Sequence, residues 1–313
     1  MTSPASAFDL EGHRGARGLA PENTLPAFAR ALSIGITTLE LDTAITEDGV
    51  VVVAHDRRLN ADITRSPDGR WLSGRTRAVH DLTFHELQRY DVGRIRPGSE
   101  YSKRFPDQRR MDGIRMPRLA DVFELTRHAR NDEVRFNIET KLSPLEPDDT
   151  VGPDEFARVL IKVVRENGMG KRTTIQSFDW RTLAVVQKEA PEIATSYLTE
   201  QQQESDTVGA GHATASPWTN GMRYADYGSV PKMVKAAGGA IWSPSVRDLN
   251  EALIKEAKSL GVKVLPWTVN DRAEMERLID WGVDGLITDY PDRLREVMAA
   301  KGLPLPKATP VNP

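Results

Sequence analysis

Short apolar runs alternate with amphipathic stretches along most of the chain. Runs at 8–12, 37–41, 134–139, 173–176, 193–198, 240–243, 262–267 and 285–287 read as strands. Between them, apolar residues recur at helical spacing over 24–34, 119–129, 155–166, 181–189, 231–237, 250–260, 274–281 and 292–300. Thr24 with Pro26 at the start, and Gly35 past the end, frame the first helix. Glu47-Asp48-Gly49 is a turn, followed by a further extended run at 50–54. About eight β–α alternations predict a closed parallel barrel of the (β/α)8, or TIM, type. The rival, an open doubly wound sheet, is weakened by the lack of a Gly-rich dinucleotide loop.

Three segments break the rhythm. Residues 57–116 are rich in Arg, Gly, Pro and Asp and hold one short helical pattern at 84–90; they read as an insertion packed on the barrel after the second strand. Residues 200–222 read as a loop. From residue 303 the chain is Pro-rich and is expected to be disordered. The expected organisation is a single barrel domain over 8–300, with its insertion at about 57–116 and a tail at 301–313.

Composition narrows the function classes. The 313 residues include no cysteine, which removes disulfides, thiolate metal sites and a cysteine nucleophile. Net charge is -3 with acidic and basic residues interspersed, so nucleic acid is not an expected partner. No apolar run is long enough to span a bilayer, and residues 1–8 lack the pattern of a signal peptide. A soluble protein is expected, cytoplasmic or, with its leader removed, periplasmic or secreted. A homo-oligomer is compatible with the sequence.

The polar residues then fall where a parallel barrel keeps its working groups, at the C-terminal ends of strands. His13 and Arg14 follow the first strand, Glu40 and Asp42 close the second, and His55 and Asp56 end the extra extended run. Glu139 and Lys141 end the third strand, Gln176 the fourth and Trp267 the seventh. Residues two apart in a strand face the same side, so Glu40 and Asp42 share one cavity. Three converging carboxylates, Glu40, Asp42 and Glu139, repel one another unless a cation lies between them. Hard oxygen ligands suit one divalent ion, Mg2+ or Ca2+, better than zinc. A structural ion-pair network, with Lys141 neutralising Glu139, is the other reading of the same residues. His13 and His55 have the pKa range for proton transfer near neutral pH. Arg14 and Lys141 could hold phosphate oxygens. His80, His85, His128 and His212 lie in the insertion, on a helix or in loops and read as non-catalytic.

The stretch His13-Arg14-Gly15-Ala16-Arg17-Gly18-Leu19-Ala20-Pro21-Glu22-Asn23-Thr24 closely resembles the opening signature of the glycerophosphodiester phosphodiesterases. Glu40-Leu41-Asp42 and His55-Asp56 follow at that family's spacing. Glu139-Thr140-Lys141, Gln176-Ser177-Phe178, Trp267-Thr268-Val269-Asn270 and Gly285-Leu286-Ile287-Thr288-Asp289-Tyr290-Pro291 look like its later blocks. The resemblance implies a TIM barrel with a small insertion after strand two. It implies Glu40, Asp42 and Glu139 as metal ligands, His13 and His55 as the acid–base pair, and Arg14 and Lys141 as phosphate contacts. Gln176 and Trp267 are further candidate substrate contacts, and Phe178 with Trp267 could wall the glycerol end. Glu22 and Asn23 are expected to brace the first loop, with Asn23 or Thr24 capping the helix.

The implied reaction is hydrolysis of a small glycerophosphodiester to glycerol 3-phosphate and an alcohol. The attacking oxygen is either the substrate's own 2-hydroxyl or water. Rival readings are a lysophospholipase D or sphingomyelinase D-like enzyme on the same barrel, and a non-catalytic phosphodiester-binding barrel. A lipid substrate calls for an exposed apolar rim, for which residues 207–227, with Trp218, Tyr224 and Tyr227, are the one candidate.

Overall fold

A computed structural model describes residues 8–313; the segment read above for a signal peptide lies, apart from Phe8, outside the described residues. Among the described residues, eight parallel strands form the barrel wall: β1 Asp9–Gly12, β2 Thr38–Ile45, β3 Arg135–Thr140, β4 Thr173–Ser177, β5 Ala194–Thr199, β6 Ile241–Pro244, β7 Lys263–Val264 and β8 Gly285–Thr288. From β1 to β7 each pairs with its sequence neighbour, and β1 also pairs with β8. Between β7 and β8 the wall is joined by backbone hydrogen bonds from Asp284 N to Val264 O (2.9 Å) and from Ile287 N to Pro266 O (3.0 Å). β7 is shorter than its apolar run predicts because Pro266 has no N–H to give to the ladder.

Helices cover the outside, and their apolar stripes show why they form there. In Pro153–Glu166 the buried residues Phe156, Ala157, Leu160, Ile161 and Val164 recur every three to four positions. On the strands, the outward residues Leu39, Leu41, Phe136 and Ile138 are fully buried beneath the helices. Each such side chain contributes about 1.5–3 kcal/mol through removal from water. The alternate positions point inward and are mostly polar on the wall from β1 to β5.

The expected extended run at 50–54 is not a barrel strand. Val51–Val53 folds back antiparallel on the last three residues of β2, after a turn in which Gly49 adopts φ +75. This hairpin nucleates the insertion, whose own small core contains Val52, Leu59, Val79, Leu82, Leu87, Val92 and Met116. The insertion holds the expected helix, here Phe84–Leu87, and a second, Glu100–Arg104. The second escaped the sequence reading because none of its residues is buried, so it leaves no apolar period; only its Ser99 cap marks it.

The tail expected to be disordered is instead docked under the N-terminal ends of the strands. Thr309 N donates to Leu32 O (2.9 Å), Arg295 Nη1 to Pro306 O (2.7 Å) and Asn131 Nδ2 to Thr309 Oγ1 (3.0 Å). Prolines restrict the free chain and keep their carbonyls as acceptors, so a Pro-rich segment loses little entropy on docking. Removal of residues 303–313 should therefore lower Tm by a few degrees, equivalent to about 1–3 kcal/mol. Thermal scanning of the truncated chain checks this; an unchanged Tm would show that the docked tail adds nothing.

Candidate active site

The loop after β1 sets the first side of the site. Arg14 sits in the left-handed region, φ +50, which a branched or long side chain rarely adopts. It is held there because its N–H donates to Glu40 Oε2 at 2.7 Å. Gly15 follows at φ +85, where a Cβ would lie 2.7 Å from the Ala27 backbone, so only glycine fits. Asn23, φ +55, turns its amide onto Asp42 Oδ2 at 2.8 Å. Thr24 is the helix cap, its Oγ1 accepting from Ala27 N.

Strand register then brings the carboxylates together. Asp42 is the partner of Glu139, and Glu40 that of Asn137, across β2 and β3. Glu40, Asp42 and Glu139 each present an oxygen within 4.8 Å of the others, and all three are buried. Burial and the Asp42 charge push the Glu40 carboxyl well up. Burial pushes Glu139 up to about 7, with Asp42 adding to the shift and Lys141 opposing it. Burial also opposes ionisation of Asp42, but the imidazolium form of His55, with Lys141 and Arg14, holds it below the usual carboxylate range. Lys141 Nζ lies 2.7 Å from Glu139 Oε1 and 3.7 Å from Asp42 Oδ1, and Arg14 Nε lies 3.3 Å from Asp42 Oδ2. With all three carboxylates ionised, as holding a cation requires, these two cations leave one negative charge over. Asp42 Oδ1 is buried with no hydrogen-bond partner. An orphaned buried oxygen within an under-neutralised set of hard ligands is the chemistry that fits a divalent cation.

The two imidazoles flank this group, each oriented by a carboxylate. His13 Nδ1 donates to Asp289 Oδ1 (2.7 Å), leaving Nε2 4.0 Å from Glu40 Oε2. Asp289 is itself held by Arg17, through Nε at 2.7 Å and Nη2 at 3.0 Å, and by Asn270 Nδ2 at 2.7 Å. Burial and the Arg17 cation press the His13 pKa down to about 4, against the pull of Asp289. His55 Nδ1 donates to Asp56 Oδ1 (2.9 Å), and Asn60 fixes the other oxygen of Asp56 (2.8 Å). Desolvation, then Arg14 and Lys141, lower the His55 pKa. Both rings, with Arg14, Glu40, Glu139 and Lys141, line one cavity of about 270 Å3 at the C-terminal mouth of the barrel.

A family model described as the glycerophosphoryl diester phosphodiesterase family matches residues 13–293, nearly the whole chain. The chain belongs to the glycerophosphoryl diester phosphodiesterase family. It is thereby a phosphoric diester hydrolase by family. A glycerophosphodiester phosphodiesterase of Caldanaerobacter subterraneus subsp. tengcongensis is 31% identical over 290 residues, 93% of this chain and 97% of the relative. A crystal structure of a candidate glycerophosphoryl diester phosphodiesterase from Silicibacter pomeroyi DSS-3 matches with TM-score 0.84 at 35% identity, over 96% of both chains. A phosphodiesterase of Oleispira antarctica, solved with its product sn-glycerol-3-phosphate, matches with TM-score 0.67 over 94% of this chain and 97% of that one. At 21% identity it shows the shared fold alone.

The nine expected site residues come to one mouth. Gln176, expected to meet substrate, lines the cavity, where its Nε2 donates to Glu40 Oε1 (2.8 Å) and its Oε1 accepts from Asn137 (3.1 Å). Trp267 lines the cavity edge-on to Phe178 (5.5 Å), with its Nε1 on Ser243 O (3.0 Å). Asn23 does more than brace the loop, since it contacts Asp42. Glu22 accepts from Arg14 Nη1 (2.6 Å) and from the Tyr101 hydroxyl of the insertion. The aromatic residues weighed as a lipid-binding rim are engaged in packing: Trp218 meets Phe178 edge-on (6.4 Å), and Tyr224 and Tyr227 rest on the core. No helix of the described residues is long and apolar enough to cross a membrane.

Sequence reading passed over Asp289, Arg17, Asn270 and Tyr101. Asp289 directly follows β8, so the strand-end rule that found the others would have found it too. Tyr101 lies on the insertion helix that left no apolar period. In ion-free protein, His13 should titrate near pH 4 and not at the ordinary 6.5. Asp289→Asn should lower it further, because a carboxylate favouring the imidazolium is lost. Histidine NMR titration reads this directly; a wild-type midpoint near 6.5 would contradict the environment described.

Proposed function

We propose that this protein hydrolyses glycerophosphodiesters to glycerol 3-phosphate and an alcohol, using one divalent ion, Mg2+ or Ca2+, and two histidines. One observation carries the reading. Three buried carboxylates within 4.8 Å share a cavity of about 270 Å3 with two carboxylate-oriented imidazoles, in a chain of this family. We read residues 8–300 as one domain, with residues 57–116 closing one side of that cavity.

Glu40, Asp42 and Glu139 would hold the ion, with Asp42 Oδ1 as the oxygen most in need of it. Such an ion supplies Lewis-acid stabilisation of the phosphoryl oxygens and of the attacking oxygen. Arg14 and Lys141 stand at the same mouth and meet the remaining phosphate charge, Arg14 by its planar fork and Lys141 as a point charge. In both histidines the Nδ1 proton is committed to a carboxylate, so Nε2 is the basic nitrogen. Their lowered pKa values keep both neutral in the resting site, ready to accept a proton. One removes the proton of the attacking hydroxyl or water; the other, its pKa raised by the bound phosphodiester anion, protonates the leaving oxygen. Phe178 and Trp267 give the apolar wall for the glycerol end.

The deciding assay offers glycerophosphocholine, glycerophosphoethanolamine and lysophospholipids, each with Mg2+ or Ca2+. Glycerol 3-phosphate should appear from the first two. Turnover of lysophospholipids alone would move the substrate to lipids, and no turnover at all would favour a binding barrel. His13→Ala and His55→Ala should each reduce turnover roughly 10^2- to 10^4-fold, and exhaustive chelation should abolish it. Near-wild-type rates in either variant, or after chelation, would sink the roles assigned.

A further inference from the structure

Asn137 stands one layer below the acidic group, on the inward face of β3 and opposite Glu40 in the register. It is 1% exposed and does not line the mouth cavity, so substrate does not reach it. Its two amide protons are both committed. Nδ2 donates to Glu11 Oε2 at 2.8 Å and to Gln176 Oε1 at 3.1 Å. Gln176 Nε2 then donates to Glu40 Oε1 at 2.8 Å. A line of hydrogen bonds thus runs up inside the barrel, from Glu11 through two amides to a member of the triad.

The direction of donation along this line is set at its upper end. Glu40, as an ion-holding carboxylate, can only accept, so Gln176 turns nitrogen toward it. The Gln176 oxygen then faces Asn137 and accepts from its Nδ2, whose second N–H goes to Glu11. This arrangement leaves Asn137 Oδ1 buried without a partner. Buried networks usually satisfy every member. The orphan is what results when both N–H groups of one amide are needed in place and its oxygen is not.

We propose that Asn137 is a positioning residue for the divalent-ion site. It locks the Gln176 amide so that nitrogen, never oxygen, faces Glu40, and so holds that carboxylate turned toward Asp42 and Glu139. The inference rests on reading the three carboxylates as the ion site.

Calorimetric titration of chelator-treated full-length protein with Mg2+, paired with thermal unfolding, tests it. Asn137→Asp presents acceptors to both neighbours, so the Gln176 amide turns over and sets its oxygen against Glu40. Ion affinity should fall about 10- to 100-fold, the usual effect of losing a partner that orients a metal ligand. In the double variant Glu11→Gln/Asn137→Asp, the amide introduced at position 11 donates to the carboxylate at 137. The lower hydrogen bonds are remade in reverse and Tm recovers, yet Gln176 stays inverted and affinity stays low. Gln176→Leu, which removes the donor to Glu40 outright, should weaken binding to a similar degree. Recovery of affinity together with Tm in the double variant, or wild-type affinity in folded Gln176→Leu, would overturn the role of Asn137. Wild-type protein that binds no ion would overturn the ion-site reading itself, and this inference with it.

Discussion

The site depends on one constraint: parallel strands in register put like charges side by side. β2 and β3 pair so that Asp42 stands beside Glu139, and the two-residue period of β2 adds Glu40 to the same face. Three buried carboxylates in that space are unstable unless answered by positive charge. Every nearby feature can be read as part of that answer. Arg14 is bent into a left-handed backbone so that its N–H caps Glu40 while its guanidinium reaches Asp42 and Glu22. Lys141, two residues beyond Glu139 on the same strand, folds back onto it. Asn23 takes the remaining side of Asp42. Asp42 Oδ1, which has no hydrogen-bond partner and only Lys141 at 3.7 Å, marks where the answer is incomplete.

The same electrostatics tie the insertion to the barrel. Glu22 sits between Arg14 and the Tyr101 hydroxyl, and Arg17 spans from Asp289 to Tyr101 (3.3 Å) while lying over the Phe105 ring at 4.6 Å. The helix Glu100–Arg104 has no buried residue of its own. It is positioned by groups that also orient His13 and Arg14. One wall of the cavity is thus held by the charges that the cavity contains. A change at Tyr101 would be felt at the histidine through Arg17 and Asp289, without touching either ring.

Much of this was legible in the sequence. The eight strands and the helices between them follow from period-2 and period-3.6 patterns, which depend on local burial. The three carboxylates and two histidines follow from their places at strand ends. What was not legible depended on contacts distant in the chain. Asp289 is 276 residues from the His13 it orients, and no local pattern links them. The hairpin strand Val51–Val53 and a barrel strand are equally apolar, and only pairing direction separates them. The tail was misjudged because proline content describes the free chain, whereas its docking rests on acceptor carbonyls and on Leu303 meeting the core. Position alone likewise cannot say that the Gln176 amide will bond Glu40 and Asn137.

The choice made by Gln176 points to how this barrel divides its labour. TIM-barrel interiors are usually packed with branched apolar side chains. Here Glu11, Glu40, Asn137, Gln176 and Ser196 occupy much of that space, all buried. Such an interior adds little hydrophobic stabilisation, so the load falls on the layer between strands and helices. There Phe28, Phe123, Phe136, Phe156 and Trp242 are fully buried, with Phe123 edge-on to Phe136 at 4.8 Å. Alternation along each strand therefore separates two tasks, outward residues holding the fold and inward residues shaping charge. The separation lets the inner face carry orphaned atoms and repelling carboxylates that no self-contained core would tolerate. It also means that the inner face is shaped by direction of hydrogen bonding more than by volume, so an isosteric exchange there can do more harm to the site than to the fold.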